Sequence, residues 1–242
     1  MLKVNETIYE NIKILNDISF DLFKGETLGI VGESGSGKST IAKSILGLIE
    51  VNNGEILFKN KNRNQISNSV FRKKVQLIFQ DPYSSLNPEI SIGSSIIEPM
   101  IAHKIFGSKY EMECRAIELL NQVGLSKNDY KKFPNQFSGG QRQRIVIARA
   151  LALNPEVIIC DESVSALDVS IQAQILNLLS DLKEKYLFTF LFISHDMSVI
   201  KYFTDRLIVL KKGKIIEINE TDFLFEHSKK LYTKSLLRAS DF

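Results

Sequence analysis

Gly32-Glu33-Ser34-Gly35-Ser36-Gly37-Lys38-Ser39 has the residue types and spacing of a phosphate-binding loop. Its glycines let backbone N–H groups wrap a triphosphate, Lys38 reaches the β and γ oxygens, and the Ser39 hydroxyl ligates Mg²⁺. Thr40 completes the phosphate-binding set. It also occupies the third glycine position of a dinucleotide fingerprint begun at Gly35, so that alternative fails. Far downstream, Ser138-Gly139-Gly140-Gln141 forms a second glycine-rich turn opening a helix, with another set of N–H donors for an anion. One chain has little use for two such sites per nucleotide, whereas two facing chains do, each closing the other's. The sequence therefore predicts a dimer that clamps ATP between subunits.

Three further positions carry chemistry beside a triphosphate. The apolar run 157–160 ends in Asp161-Glu162. An acid at the carboxyl end of a buried strand suits Mg²⁺, mostly through water. A second acid beside it, turned to the opposite side, can orient or deprotonate the attacking water. Without the upstream loop the two acids would be ordinary solvated turn residues. His195 follows the apolar run 188–193 and can donate a hydrogen bond to charge developing on the γ-phosphate; in isolation it reads as a helix cap or a solvent-facing residue. Gln80 also ends a strand, where its amide can touch both Mg²⁺ and the water; in isolation it is a surface amide.

These groups need a scaffold. Residues 27–31 read as a buried strand running into the phosphate loop, and residues 41–49 as the helix after it. Strands are expected at 55–58, 75–79, 157–160, 188–193 and 207–210. Lys212-Gly213 is the turn of a hairpin leading to 215–218. Ile171, Ile175, Leu178, Leu179 and Leu182 form the stripe of a helix packed on a sheet. From 81 to 135 strand signals vanish, and helical stretches near 92–105 and 110–123 are broken by Pro82, Pro88, Pro99 and Gly107. The expectation is an α/β fold with a mostly parallel, covered sheet and an inserted helical subdomain.

Composition narrows the class. The chain has 242 residues, 44% of them hydrophobic, enough for a sizeable core. Thirty-one Lys+Arg against 28 Asp+Glu give a net charge of +3, which argues neither for nor against nucleic acid. Lys211, Lys212, Lys214, Lys229, Lys230 and Lys234 are interleaved with acids and read as a solvated face. Cys114 and Cys160 stand far apart, with no disulfide framework or zinc spacing. No signal peptide is expected at the start, and no apolar run approaches the roughly 18 residues of a membrane span. These features point to a soluble protein of a reducing compartment.

In order, Gly32 to Ser39, Gln80, Ser138 to Gln141, Asp161-Glu162, Ser165-Ala166-Leu167-Asp168 and His195 resemble the ATPase subunits of ATP-binding cassette (ABC) transporters. The resemblance implies a P-loop NTPase (RecA-like) core with an N-terminal antiparallel β subdomain. It places the core at 1–81 and 156–225, the helical subdomain with the signature at 82–155, and a C-terminal helical tail at 226–242. It gives Ser138, Gly139, Gly140 and Gln141 the γ-phosphate of the opposite subunit's nucleotide, Asp168 the dimer seam, and His195 a γ-phosphate sensing role. Tyr9, 23 residues before Gly32, stands where such proteins place an adenine-stacking aromatic; core packing is the alternative. Gln80-Asp81-Pro82-Tyr83-Ser84-Ser85-Leu86-Asn87-Pro88, residues 165–174 and Leu231 to Leu237 are similar to oligopeptide, dipeptide and nickel importers.

That branch implies ATP and Mg²⁺ as cofactors and a second ABC ATPase, identical or different, as dimer partner. It also implies two membrane permeases, an extracytoplasmic solute-binding protein acting indirectly, no nucleic acid, and a peripheral location on the cytoplasmic membrane face. The activity expected is ATP hydrolysis driving import of a peptide, nickel or a metal chelate. Phe137 and Ser163 depart from the commoner leucine and proline without touching chemistry. No cysteine follows Cys160, so the iron–sulfur cluster of many relatives is expected to be absent. An ABC-type ATPase acting on DNA or ribosomes is the second reading. The insert between Gln80 and Ser138 opposes it, being short, proline-broken and without sustained heptads. A P-loop kinase or GTPase would not need Ser138 to Gln141.

Overall fold

Strands and helices alternate along the chain as its apolar runs predict. The computed structural model describes the backbone of residues 2–9 and 12–238, with side chains from 14 to 238. The strands are β1 (Leu2–Tyr9), β2 (Ile12–Phe20), β3 (Thr27–Val31), β4 (Asn53–Phe58), β5 (Lys61–Asn62) and β6 (Val75–Ile78). They continue with β7 (Val157–Asp161), β8 (Thr189–Ile193), β9 (Arg206–Lys211) and β10 (Lys214–Glu220). The helices begin with α1 (Lys38–Ile45), α2 (Asn68–Lys74), α3 (Pro82–Ser85), α4 (Ile92–Ala102) and α5 (Lys109–Gln122). They end with α6 (Gly139–Leu151), α7 (Val169–Tyr186), α8 (Met197–Phe203), α9 (Thr221–His227) and α10 (Leu231–Arg238).

Two units divide the chain, Met1–Arg72 with Leu187–Phe242, and Lys73–Tyr186. In the first, β10, β9, β3 and β8 lie side by side. The β3–β8 and β3–β9 pairs are parallel and only the β9–β10 hairpin is antiparallel. All five residues of β3 and of β8 are buried, as expected of parallel strands covered on both faces. Phe190 and Phe192 of β8 meet Phe203 of α8 edge-on, with ring centroids 5.5 and 4.9 Å apart. A separate antiparallel sheet, in the order β2-β1-β4-β5, belongs to the same unit. It includes the N-terminal antiparallel strands expected from the resemblance.

The second unit pairs β6 with β7 in parallel and surrounds them with helices. Ile92, Ile96 and Met100 of α4, Leu119 and Leu120 of α5, and Ile145 and Ile147 of α6 are fully buried. Each helix opens on a serine whose hydroxyl accepts a backbone N–H: Ser91 from Ser94, Ser108 from Glu111 and Ser138 from Gln141. One expectation is corrected here. Pro99 lies inside α4 instead of breaking it. It cannot donate to the Ser95 carbonyl four residues back, yet the helix runs on through it to Ala102.

Candidate active site

Strand register explains how separated motifs come together. Ile30 of β3 pairs with Ile193 of β8 in parallel. Two residues beyond each, Gly32 and His195 therefore leave the same sheet edge side by side. In the other unit Ile78 of β6 pairs with Cys160 of β7. Two residues beyond each stand Gln80 and Glu162, and the Gln80 Nε2 donates to Glu162 Oε2 at 3.1 Å. The same offset thus operates twice, bringing candidate site residues to the carboxyl ends of parallel strands. Open α/β sheets bind ligands at such edges.

The phosphate loop is held from behind. Gly32 admits no side chain, because a Cβ there would strike the carbonyl oxygen of Leu210. Gly213, in the β9–β10 turn, donates its N–H to the Ser36 carbonyl at 2.9 Å. Ser36 and Lys38 are buried within the loop, Lys38 at 7% exposure. Its Nζ donates to the carbonyls of Gly32 at 2.8 Å and Glu33 at 3.1 Å. The ammonium is thereby folded over the loop it belongs to. Ser34 and Gly35 face outward, while Ser39 and Thr40 are half-buried at the start of α1.

The acids follow the strand as expected. Asp161 ends β7 and Glu162 comes next with φ of 52°, in the left-handed region that a non-glycine residue occupies only at a cost. That turn sends Glu162 away from the direction of Asp161 and toward Gln80. Because the Gln80 amide uses an N–H on Glu162, its carbonyl oxygen is left for another ligand. Ser39, Gln80 and Asp161 offer a hydroxyl, an amide oxygen and a carboxylate. Each is an oxygen donor of the kind Mg²⁺ takes, in place of the sulfur donors of a thiophilic metal.

The second glycine turn is a helix start with a complete reciprocal cap. Gln141 N–H donates to Ser138 Oγ at 3.3 Å, and the Ser138 N–H to Gln141 Oε1 at 3.0 Å. Ser138 and Gln141 are exposed, whereas Gly140 is buried against Ile171. Asp168, just before α7, is exposed beside Val169, an apolar side chain 81% exposed. The side chain of Tyr9 lies outside the described residues. Sequence reasoning missed three features. One is the left-handed backbone of Glu162. Another is that the Lys212-Gly213 hairpin turn, itself expected, stands behind the phosphate loop. The third is Tyr83, 59% exposed, whose ring lies under Arg142.

Residues 15–165 match the family model described as ABC transporter. The chain belongs to the ABC transporter family. Its relatives include the oligopeptide transport ATP-binding protein OppF of Bacillus subtilis, 50% identical over 232 residues, covering 94% of this chain and 76% of OppF. The dipeptide transport ATP-binding protein DppF of Lactococcus lactis is 46% identical over 230 residues, covering 93% and 74%. The glutathione import ATP-binding protein GsiA of Pectobacterium atrosepticum is 46% identical over 235 residues, of which this chain spans 38% of the length. Among solved structures, the ATP-binding cassette MJ0796, a dimer bound to ADP and Pi, superposes with a TM-score of 0.78 at 32% identity, covering 90% of this chain and 97% of that one. The ABC transporter component cbiO1 of Clostridium perfringens reaches 0.83 at 26% identity, covering 93% and 90%. This ABC chain is an ATP-binding ATPase subunit. No helix among the described residues is long and apolar enough to cross a membrane.

Proposed function

We propose that this ABC ATPase works as a dimer, identical or mixed, powering import of a peptide-class solute through two separate membrane permeases on whose cytoplasmic face it sits. The solute class follows the relatives, named for oligopeptides, dipeptides and glutathione. None of those names supports the nickel or metal chelate also considered from the sequence. An extracytoplasmic solute-binding protein would choose the cargo, and no nucleic acid takes part. The observation that carries the dimer is the second anion-binding turn, Ser138 to Gln141, exposed on a chain that already has a complete phosphate loop.

Gly32, Ser34, Gly35, Ser36, Gly37, Lys38, Ser39 and Thr40 would hold the chain's own triphosphate, and Tyr9 would stack on adenine. Ser138, Gly139, Gly140 and Gln141 would close the partner's nucleotide, with Asp168 at the seam. Ser39, Gln80 and Asp161 would hold Mg²⁺, which supplies charge neutralisation for the departing phosphate when bound. Glu162 would accept a proton from the attacking water, oriented by the Gln80 N–H that already binds it. His195 would donate a hydrogen bond to the γ-phosphate as charge builds there. The helical subdomain would comprise residues 82–155, the core 1–81 and 156–225, and the tail 226–242. A groove of about 470 Å³ lined by Tyr83, Leu86, Pro88, Ile90, Glu98 and Arg149 offers the permease a seat.

The decisive test is turnover against concentration. ATPase activity per chain is expected to fall on dilution below the dimer dissociation constant. Ser138→Arg is expected to abolish hydrolysis while leaving nucleotide binding to the phosphate loop intact. Constant activity at every dilution, with a fully active Ser138→Arg chain, would defeat the shared-pocket reading. Purification from detergent-solubilised membrane then identifies the permeases.

A further inference from the structure

Arg142 and Arg149 lie seven residues apart on α6, two helical turns, and therefore share one face. Both grip α3, the short helix that directly follows Gln80. The Arg142 guanidinium lies over the Tyr83 ring, 4.1 Å from its centroid, and its Nε donates to the Phe137 carbonyl at 3.1 Å. Arg149 donates to the Ser85 carbonyl at 2.8 Å and to Glu98 at 2.9 Å. Asp81 caps α3 by accepting from the N–H groups of Tyr83 at 2.8 Å and Ser84 at 3.2 Å. A Cβ built on Gly139 would stand 3.9 Å from the Tyr83 hydroxyl, so the ring borders the signature turn itself.

These contacts form an unbroken path inside one unit. It runs from Glu162 through Gln80 and the capped α3 to Arg142, and from Arg142 to the loop before Ser138. The exposed Tyr83 ring carries a guanidinium stacked on its face, an attraction that the ring's quadrupole favours. We propose that Tyr83 and Arg142 are positioning residues for ATP hydrolysis: their stack fastens the Gln80 segment to the signature helix, so that the base and the partner-facing turn move together. This rests on the roles given above to Glu162 and Ser138. Arg149 and Glu98 also line the groove assigned to the permease, so an occupant of that groove touches the other end of the same clasp.

The test is a double-mutant cycle on the chain in its working dimer. Tyr83→Leu and Arg142→Met are each expected to lower kcat about five- to ten-fold, the scale of one cation–π stack. The double variant falls no further than the worse single, because each removes the same contact. The MgATP Kd stays within about two-fold, since the phosphate loop is untouched, and Tyr83→Phe recovers most of the rate because it keeps the ring. Multiplicative losses, a parallel rise in Kd, or Tyr83→Phe as slow as Tyr83→Leu would overturn the proposal. Glu162→Gln separates the two readings. If it is inactive while the Tyr83 and Arg142 variants run at full speed, only the clasp fails; if it turns over normally, the catalytic reading beneath it fails.

Discussion

Replacing Glu162 by glutamine removes a negative charge and a proton acceptor while keeping the size of the side chain. The glutamine side chain has the same length, and its carbonyl oxygen can still accept the Gln80 N–H now bonded at 3.1 Å. Neither residue is glycine, so the left-handed backbone at φ 52° costs the same in both. Weakening the charge-assisted hydrogen bond to Gln80 at a part-exposed site costs at most about 1 kcal/mol. A chain of this size should then lose no more than about 4 °C in Tm. The kinetic effect is far larger. A positioned base contributes on the order of 10²- to 10⁴-fold, which is about 3 to 5 kcal/mol of barrier. The expected outcome is a folded protein that binds ATP at least as tightly, since a negative charge has gone, yet hydrolyses it hundreds of times more slowly. Calorimetric titration, melting curves and phosphate release read the three quantities separately. Glu162→Gly adds a control: it relieves roughly 1 kcal/mol of left-handed strain, so Tm should hold although the side chain is deleted. Turnover within ten-fold of wild type in Glu162→Gln, or a collapse of Tm in either variant, would refute the assignment of base and strain to this position.

Other outcomes follow from single features. Gly213→Ala places a Cβ against the Ile14 carbonyl at a φ of 72°, and the turn also bonds Ser36 and Asn16. It should cost about 2 to 4 kcal/mol, seen as a Tm drop of roughly 5 to 15 °C with weaker ATP binding. Gln143 is fully buried with neither amide atom hydrogen-bonded, so Gln143→Met should stabilise by about 1 to 2 kcal/mol, a Tm rise of a few degrees. Burial pushes the Cys160 thiol up to about 12, whereas Cys114 is exposed. Iodoacetamide at pH 8 should therefore label Cys114 alone in native protein and both in urea, as counted by mass spectrometry. Asp129 is held below the ordinary carboxylate range, chiefly by the Lys132 ammonium 2.7 Å away. Its contribution is present above about pH 4 and is lost as pH falls through its lowered value, so Asp129→Asn should flatten the acid limb of a Tm–pH curve.

Much of this site was legible in residue order alone. A phosphate loop needs glycines, a lysine and a serine at fixed spacing because its grip is mostly local backbone, so residues 32–39 announce themselves without a fold. The apolar runs before Gly32, Glu162 and His195 likewise mark buried strands, since strands covered on both faces are apolar along nearly their whole length. The helix after Ser138 was readable from its cap, which is a contact between near neighbours.

What the tertiary structure decided is register and backing. No local pattern states that Ile78 pairs with Cys160, yet that pairing puts the Gln80 amide on Glu162. Nor could the sequence show that the Leu210 carbonyl and the Gly213 N–H stand behind the phosphate loop, or that Arg142 covers Tyr83. Such contacts join residues distant along the chain. Their geometry depends on how buried strands align and on which helix faces meet, and the free energy that fixes it comes from the core as a whole.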